Sequence, residues 1–359
     1  MIALRRLLMS DKEQRPVGSE GAISTGSTLL NLACTDRPDV GFRKSGYYFL
    51  VGDSMSGKTF LTLTCFAEAC RNPEFDNYRL IYDDVEGGAL MDVKRYFGSA
   101  VAKRLEPPSK VKGQAVHSDT VESFYYNIWN ALEGDRPVLY VLDSQDALTS
   151  DASESKFGAK KKASEEGKES TGSYGDGKAK YHSEHLRLVL SKIRKTGSIL
   201  IIIGQTRDNL GFGFNPKTRS GGRALRFYAN FELWSSVLGP IERLVRKRKR
   251  HVGNKILIEV KKNRATGKVG KDRGAIINIL NSVGIDDVGS CVDYLVREKH
   301  WKKVNGVINA KDINLAAKRS AIIAHIEQRR LEKTLSQTVA KVWKEIEEES
   351  NPPRKARYA

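Results

Sequence analysis

The sequence predicts an α/β fold: a mostly parallel central sheet with helices on both faces. Three observations carry that reading. Short, near-continuous apolar runs at 46–51 (GYYFLV), 79–84 (RLIYDD), 138–143 (VLYVLD) and 198–204 (SILIIIG) read as strands buried on both sides. Segments with helical spacing, 58–71, 121–133 and 184–195, alternate with them. The first strand ends in a glycine-rich loop that opens a helix.

The elements follow in chain order. In 121–133, Phe124, Ile128 and Leu132 recur on one helical face, and 184–195 reads as helical with Leu186, Leu188, Leu190 and Ile193. Later strand candidates are 231–237, 255–261 and 275–280. Residues 151–182 hold almost no large apolar side chain, so 148–182 is expected to be a mobile loop. Residues 312–349 are rich in Ala, Lys, Glu, Arg and Leu and predict one or two charged amphipathic helices. The final NPPRKARYA is expected to fray. The resulting organisation is a short segment 1–22 that could serve polymerisation, a core 23–284, and a largely helical C-terminal region 285–359.

Composition narrows the partners. Of 359 residues 40% are hydrophobic and 29% charged, enough apolar material for a core and too much for a disordered chain. There are 61 Lys and Arg against 43 Asp and Glu, a net charge of +18, which favours a polyanionic partner. No apolar run approaches the roughly 18 residues that a membrane-spanning helix needs. MIALRRLLMSDKEQR lacks the cleavage site of a secretory signal. Cys34, Cys65, Cys70 and Cys291 form no C-x-x-C pair and read as free thiols. A cytoplasmic protein with no membrane partner is expected.

Residues 52–59, GDSMSGKT, fit G-x-x-x-x-G-K-[ST] through Gly52, Gly57, Lys58 and Thr59. Glycines allow successive backbone N–H groups to turn toward phosphate oxygens, and the helix N-terminus adds its positive end. Lys58 would reach the β- and γ-phosphates, and Thr59 would hold Mg²⁺. Asp53, Ser54, Met55, Ser56 and Phe60 complete the predicted nucleotide-binding loop. Asp143 closes the VLYVLD strand, where a carboxylate would hold Mg²⁺ partly through water. Glu86, in YDDVEGG, would orient and deprotonate an attacking water. Alone, each acid would read as an ordinary strand-end residue; the phosphate loop gives the pair meaning.

Taken together, these segments resemble the RecA family of recombination ATPases, from about Ile23 to His300. YDDVEGGA resembles the segment with the family's catalytic glutamate, at Glu86. VLYVLDSQDALTS resembles its second acidic strand and the following serine, at Asp143 and Ser144. IIIGQTRDNLGFGFNPKTRSGGRALRFYANFEL resembles the strand, phosphate-sensing glutamine and DNA-binding loop, placing the sensor at Gln205 and the loop at 206–223. VKKNRATGKVG resembles the basic segment that reaches ATP in the adjacent subunit, at Lys262 and Arg264; family members usually carry lysine at the latter position. The resemblance implies a RecA-like P-loop ATPase core that binds ATP and Mg²⁺, and self-association into a helical filament. The partners it implies are single-stranded DNA, then double-stranded DNA. Divergence from cellular members points to a phage or phage-infected bacterial setting.

The residue chemistry of the DNA loop agrees. Arg207, Lys217, Arg219 and Arg223 would neutralise phosphates, Gly221 and Gly222 would admit a close backbone, and Phe212 and Phe214 would stack on bases. Lys160, Lys161 and Lys162 form a second, weaker candidate contact. The run 243–250, RLVRKRKR, reads equally as a phosphate track or a solvated hairpin. Three functions stand: a strand-exchange ATPase, a ring helicase or motor on the same core, and a scaffold with a vestigial ATP site. No N-K-x-D guanine motif or LSGGQ-type signature supports a GTPase or a transporter ATPase.

Overall fold

The protein is seen in a computed structural model, which describes residues 21–88, 91–165, 178–208 and 217–354. A ten-stranded sheet runs through it. Its order is Gly284–Asp286, Gly270–Leu280, Arg248–Asn263, Phe231–Val245, Gly46–Gly52, Ile199–Asp208, Val138–Asp143, Arg79–Asp84 and Leu105–Glu106, with Lys217–Arg219 paired to Ile199–Asp208. From Phe231–Val245 to Leu105–Glu106 the neighbours are parallel. Along the other edge they are antiparallel hairpins.

The apolar runs form the centre because every residue of Gly46–Gly52 and Val138–Asp143 is buried. Side chains alternate between two cores. Tyr48 and Leu50 join the cluster holding Leu61, Phe66 and Ile201, while Tyr47, Phe49 and Val51 join Phe124, Ile128, Leu186 and Ile193 on the opposite face. The helix Val121–Glu133 starts at a reciprocal cap between Thr120 and Ser123, and its Phe124–Ile128–Leu132 stripe is buried as the spacing predicts.

Two regions differ from expectation. Within 148–182, residues Asp151–Glu165 form a helix, and the next helix, Lys178–Thr196, begins six residues before 184. Lack of apolar residues forbids burial, not helicity. Ser150 Oγ accepts from the Ser153 backbone N–H at 3.3 Å as a cap, and Lys161 pairs with Glu165 one turn on. Residues 166–177 lie outside the described residues.

The region after 285 is not only helical. Lys302–Val304, Val307–Ala310 and Leu315–Lys318 form an antiparallel sheet before the helices Arg319–Arg329 and Glu332–Ser350. Its first turn takes positive φ at Asn305 (49°) and Gly306 (81°), an Asn-Gly hairpin signal present in the sequence. Leu335, Val339, Val342 and Trp343 of the last helix join the same buried cluster as Leu29 and Ile256. Asp36 ties the regions together by accepting from Arg273 at 2.6 Å, Lys268 at 2.9 Å and Trp343 at 3.3 Å. Among the described residues, no helix is long and apolar enough to cross a membrane.

Candidate functional site

The phosphate loop sits where Gly46–Gly52 leaves the sheet. Met55 (φ 60°) and Gly57 (φ 81°) turn the backbone through the left-handed region before the helix Lys58–Arg71 begins. A Cβ at Gly57 would strike Ile279, and one at Gly52 would strike Ser235, so glycine is required for close approach at both positions. Ser56 locks the loop by donating to the Asp53 carbonyl at 2.7 Å and sharing a 2.7 Å bond with Ser235. Lys58 Nζ donates to the Gly52 and Asp53 carbonyls at 2.9 and 2.6 Å. Burial holds this ammonium below its ordinary range, against the pull of Asp143, Glu86 and Asp53.

A cleft of about 320 Å³ opens over this loop. Ser54 to Phe60 line one side; Asp84, Glu86, Asp143 and Gln205 line the facing side, with Asn254, Ile256, Ile279 and Asn281 on the flank. The strand order explains the meeting. Ile199–Asp208 lies between the phosphate-loop strand and the Asp143 strand, so Gln205 stands between them at the same sheet edge.

Thr59 Oγ1 and Tyr82 OH both donate to Asp143 Oδ2, at 2.6 and 2.7 Å. Burial raises the Asp143 carboxyl above its usual range even against those two donors. Glu86 Oε1 accepts from Ser144 Oγ and, at 2.8 Å, from Gln205 Nε2. Among the described residues no cluster of three or more His, Cys, Asp or Glu is placed to ligate a metal. One hydroxyl and one carboxylate at Thr59 and Asp143 instead match a Mg²⁺ site completed by phosphate oxygens and water.

The cleft is joined to the 206–223 loop by two polar routes. In the first, the Gln205 backbone N–H donates to Asp146 Oδ2 at 2.7 Å, Gln145 Nε2 donates to the same oxygen at 2.7 Å and to Ser220 Oγ at 2.5 Å, and Ser220 Oγ donates to Asp146 Oδ1. Ser220 precedes Gly221 and Gly222, both at positive φ; a Cβ on Gly221 would strike Leu225. In the second, Asp53 accepts from Thr206 Oγ1 and Lys217 Nζ. Burial tends to raise this carboxyl, but those two bonds and the Lys217 charge hold it below its usual range. Asp146, Gln145, Ser220 and Asp53's outward contacts were not legible as a relay; the acid three residues after Asp143 was the one available signal.

The other candidates are distributed as follows. Arg223 is exposed, and Arg207 is exposed but lies 3.6 Å from Asp146. Arg219 is not a surface cation: its side chain is 16% exposed and its Nε lies 3.1 Å from Glu232, which is 1% exposed and also meets Arg226 at 3.0 Å. Lys217 is engaged by Asp53. Phe212 and Phe214 lie outside the described residues, as does most of 1–22. Lys160, Lys161 and Lys162 are exposed on the helix Asp151–Glu165, away from the cleft lining. Lys262 and Arg264 do not line the cleft either. Lys262 Nζ donates to the Arg226 and Phe227 carbonyls at 2.7 and 2.6 Å, and Arg264 to the Phe227 carbonyl at 2.6 Å, capping the helix Gly222–Tyr228. Burial and the Arg264 charge push Lys262 down to about 8. It shares one basic hollow with Arg219, Arg223 and Arg226.

A phosphate loop, a facing strand-end acid and an intervening strand that carries a glutamine define a RecA-like P-loop core. Comparison with known proteins agrees. The RecA N-terminal domain family matches residues 144–286. Protein RecA of Chlorobaculum parvum is 29% identical over 294 residues, covering 77% of this chain and 70% of that protein. Protein RecA of Leptospira biflexa is 27% identical over 307 residues, covering 79% and 66%. Protein RecA of Chlamydia muridarum is 30% identical over 145 residues, covering 40% and 39%. The chain is thus similar to RecA proteins over most of its length, and to their N-terminal domain over residues 144–286.

Proposed function

We propose that the protein is a DNA-dependent ATPase that assembles as a helical filament on single-stranded DNA, then engages double-stranded DNA for homologous pairing and strand exchange. The observation that carries this reading is the position of Gln205. Its side chain bonds Glu86 in the nucleotide cleft, and its backbone bonds Asp146, which holds Ser220 at the base of the glycine turn. A γ-phosphate that drew the Gln205 amide would break the Glu86 bond and shift the strand that leads into the DNA loop.

The residues divide the chemistry. Lys58, released from the Gly52 and Asp53 carbonyls, neutralises β- and γ-phosphate charge, and its ammonium is favoured again by those charges. Glu86 accepts a proton from the attacking water, with Ser144 and Gln205 fixing its carboxylate. Mg²⁺, held by Thr59 and through water by Asp143, would supply charge compensation at the phosphates. Lys262 and Arg264, outside this chain's own cleft, act on nucleotide bound by a neighbouring copy. Arg207 and Arg223 supply phosphate contacts in the DNA loop, with Lys160–Lys162 adding non-specific attraction.

Electron microscopy with single-stranded DNA and a non-hydrolysable ATP analogue tests the assembly. Continuous helical filaments are expected. Closed rings would favour a ring helicase on the same core, and bare DNA would remove both readings.

A further inference from the structure

Asp143 joins two neighbouring strands at the sheet edge that carries the phosphate loop. Arg79–Asp84 pairs in parallel with Val138–Asp143, and the register sets Asp84 opposite Asp143. The Asp143 carbonyl accepts the Val85 and Glu86 backbone N–H groups at 2.8 and 3.3 Å, so the turn that carries Glu86 hangs from this residue. The carboxylate is used unevenly. Oδ2 accepts from both the Thr59 hydroxyl, at 2.6 Å, and the Tyr82 hydroxyl, at 2.7 Å, whereas no hydrogen bond among the described residues reaches Oδ1.

Both donors come from fixed positions. Thr59 closes the phosphate-loop motif in the first turn of the helix Lys58–Arg71. Tyr82 belongs to the strand next to that of Asp143, and its side chain is locked by packing. It is buried in the cluster that holds Leu50, Leu61 and Val141, and its ring meets Phe66 of the same helix edge-on, with centroids 6.3 Å apart. A hydroxyl on a ring held this way has little freedom to swing. Two fixed donors on one oxygen define the orientation of a carboxylate whose terminal torsion is otherwise broad. With Oδ2 tied to the helix and to the neighbouring strand, Oδ1 is the oxygen left for the nucleotide cleft that Asp143 lines.

We propose that Tyr82 is a positioning residue for the metal site: its hydroxyl orients the Asp143 carboxylate so that the oxygen bound by neither Thr59 nor Tyr82 is offered to the hydration shell of Mg²⁺. The inference rests on the reading above, in which Thr59 and Asp143 hold Mg²⁺ beside the nucleotide. It adds a side chain that lies outside the phosphate-loop motif, 23 residues further along the chain than Thr59. Without this hydroxyl, Oδ2 keeps the Thr59 donor alone and the carboxylate is free to turn. Metal binding then has to order it, which is how loss of an outer partner weakens a metal site whose direct ligands are all present. The effect is confined to the metal-loaded nucleotide, because Tyr82 is not among the residues that line the cleft.

The test measures how strongly Mg²⁺ tightens nucleotide binding. Fluorescence anisotropy gives the affinity for a fluorescent, non-hydrolysable ATP analogue in saturating Mg²⁺ and again in EDTA, and the ratio of the two affinities is the coupling between metal and nucleotide. The variant is Tyr82→Phe, which keeps the packed ring and removes only the hydroxyl; a thermal melt in EDTA, followed by far-UV circular dichroism, confirms that it is folded. The wild-type ratio should be large. Tyr82→Phe should lower it by about tenfold, while its affinity in EDTA stays within about twofold of wild type. A Tyr82→Phe ratio equal to that of wild type would overturn the proposal, whether or not the melt shifts, and would leave the hydroxyl a structural bond. Equal losses of affinity with and without Mg²⁺ would overturn it too, by placing the effect on the nucleotide. Failure of the Tyr82 inference alone leaves a large wild-type ratio, whereas a wild-type ratio of one would remove the Mg²⁺ reading on which it rests.

Discussion

Arg219→Ala separates a structural cation from a DNA-contacting one. Glu232 is 1% exposed, with one carboxylate oxygen 3.1 Å from Arg219 Nε and the other 3.0 Å from Arg226 Nε. Removing one partner from a buried ion pair costs about 3–5 kcal/mol when the remaining charge is left alone. Here Arg226 stays beside Glu232, and its side chain is 52% exposed, so water screens it. The expected loss therefore falls below that range, at about 2–3 kcal/mol. Urea denaturation of the full chain reads this as a lowered midpoint at unchanged slope. Arg223→Ala, at an exposed position, should shift stability by less than about 0.5 kcal/mol. It should instead flatten the single-strand salt slope by about 0.7. Arg219→Ala with Glu232→Gln should lose less than the sum of the single changes, because no charge is then left buried. The reasoning fails if Arg219→Ala is as stable as wild type and flattens the salt slope as Arg223→Ala does.

Glu86→Gln should retain nucleotide binding, measured with a fluorescent ATP analogue, and slow hydrolysis about 10²–10⁴-fold; hydrolysis at the wild-type rate would reassign the base. Lys58→Ala should lose both binding and hydrolysis in the same assays. Asp287 governs a pH dependence of stability. It accepts from the Thr28 N–H at 2.7 Å and hydroxyl at 2.8 Å, and burial pushes its carboxyl up to about 6. The folded state then binds more protons than the unfolded state between about pH 4 and 6, so this group makes stability fall as pH rises through that window. Asp287→Asn should flatten that slope and raise stability at neutral pH by up to about 3 kcal/mol. Urea midpoints from pH 4 to 8 measure it, and an unchanged slope would count against the assignment.

The parallel centre of the sheet was legible because strands buried on both faces must be apolar at consecutive positions, as GYYFLV and VLYVLD are. The nucleotide loop was legible because its glycines and Lys58–Thr59 are adjacent in the chain. What the sequence hid depends on pairing between distant residues. Arg219 reads as a free cation until the fold sets Glu232 beside it, and Lys217 until Asp53 takes it up. The helix Asp151–Glu165 was missed because an apolar stripe was the signal sought, whereas that helix rests on a cap and an i,i+4 pair. The C-terminal hairpin was legible in Asn305–Gly306, but the Ala, Lys and Glu content around it favoured a helical reading.

The central claim is that nucleotide cleft and DNA loop form one coupled unit through Gln205. The most direct measurement is the ratio of ATP hydrolysis with and without single-stranded DNA, compared between wild type, Gln205→Ala and Asp146→Asn. The wild-type ratio should be large, and both variants should bring it close to one while still binding nucleotide and DNA. A wild-type ratio of one, or variants that keep the full wild-type ratio, would contradict the account.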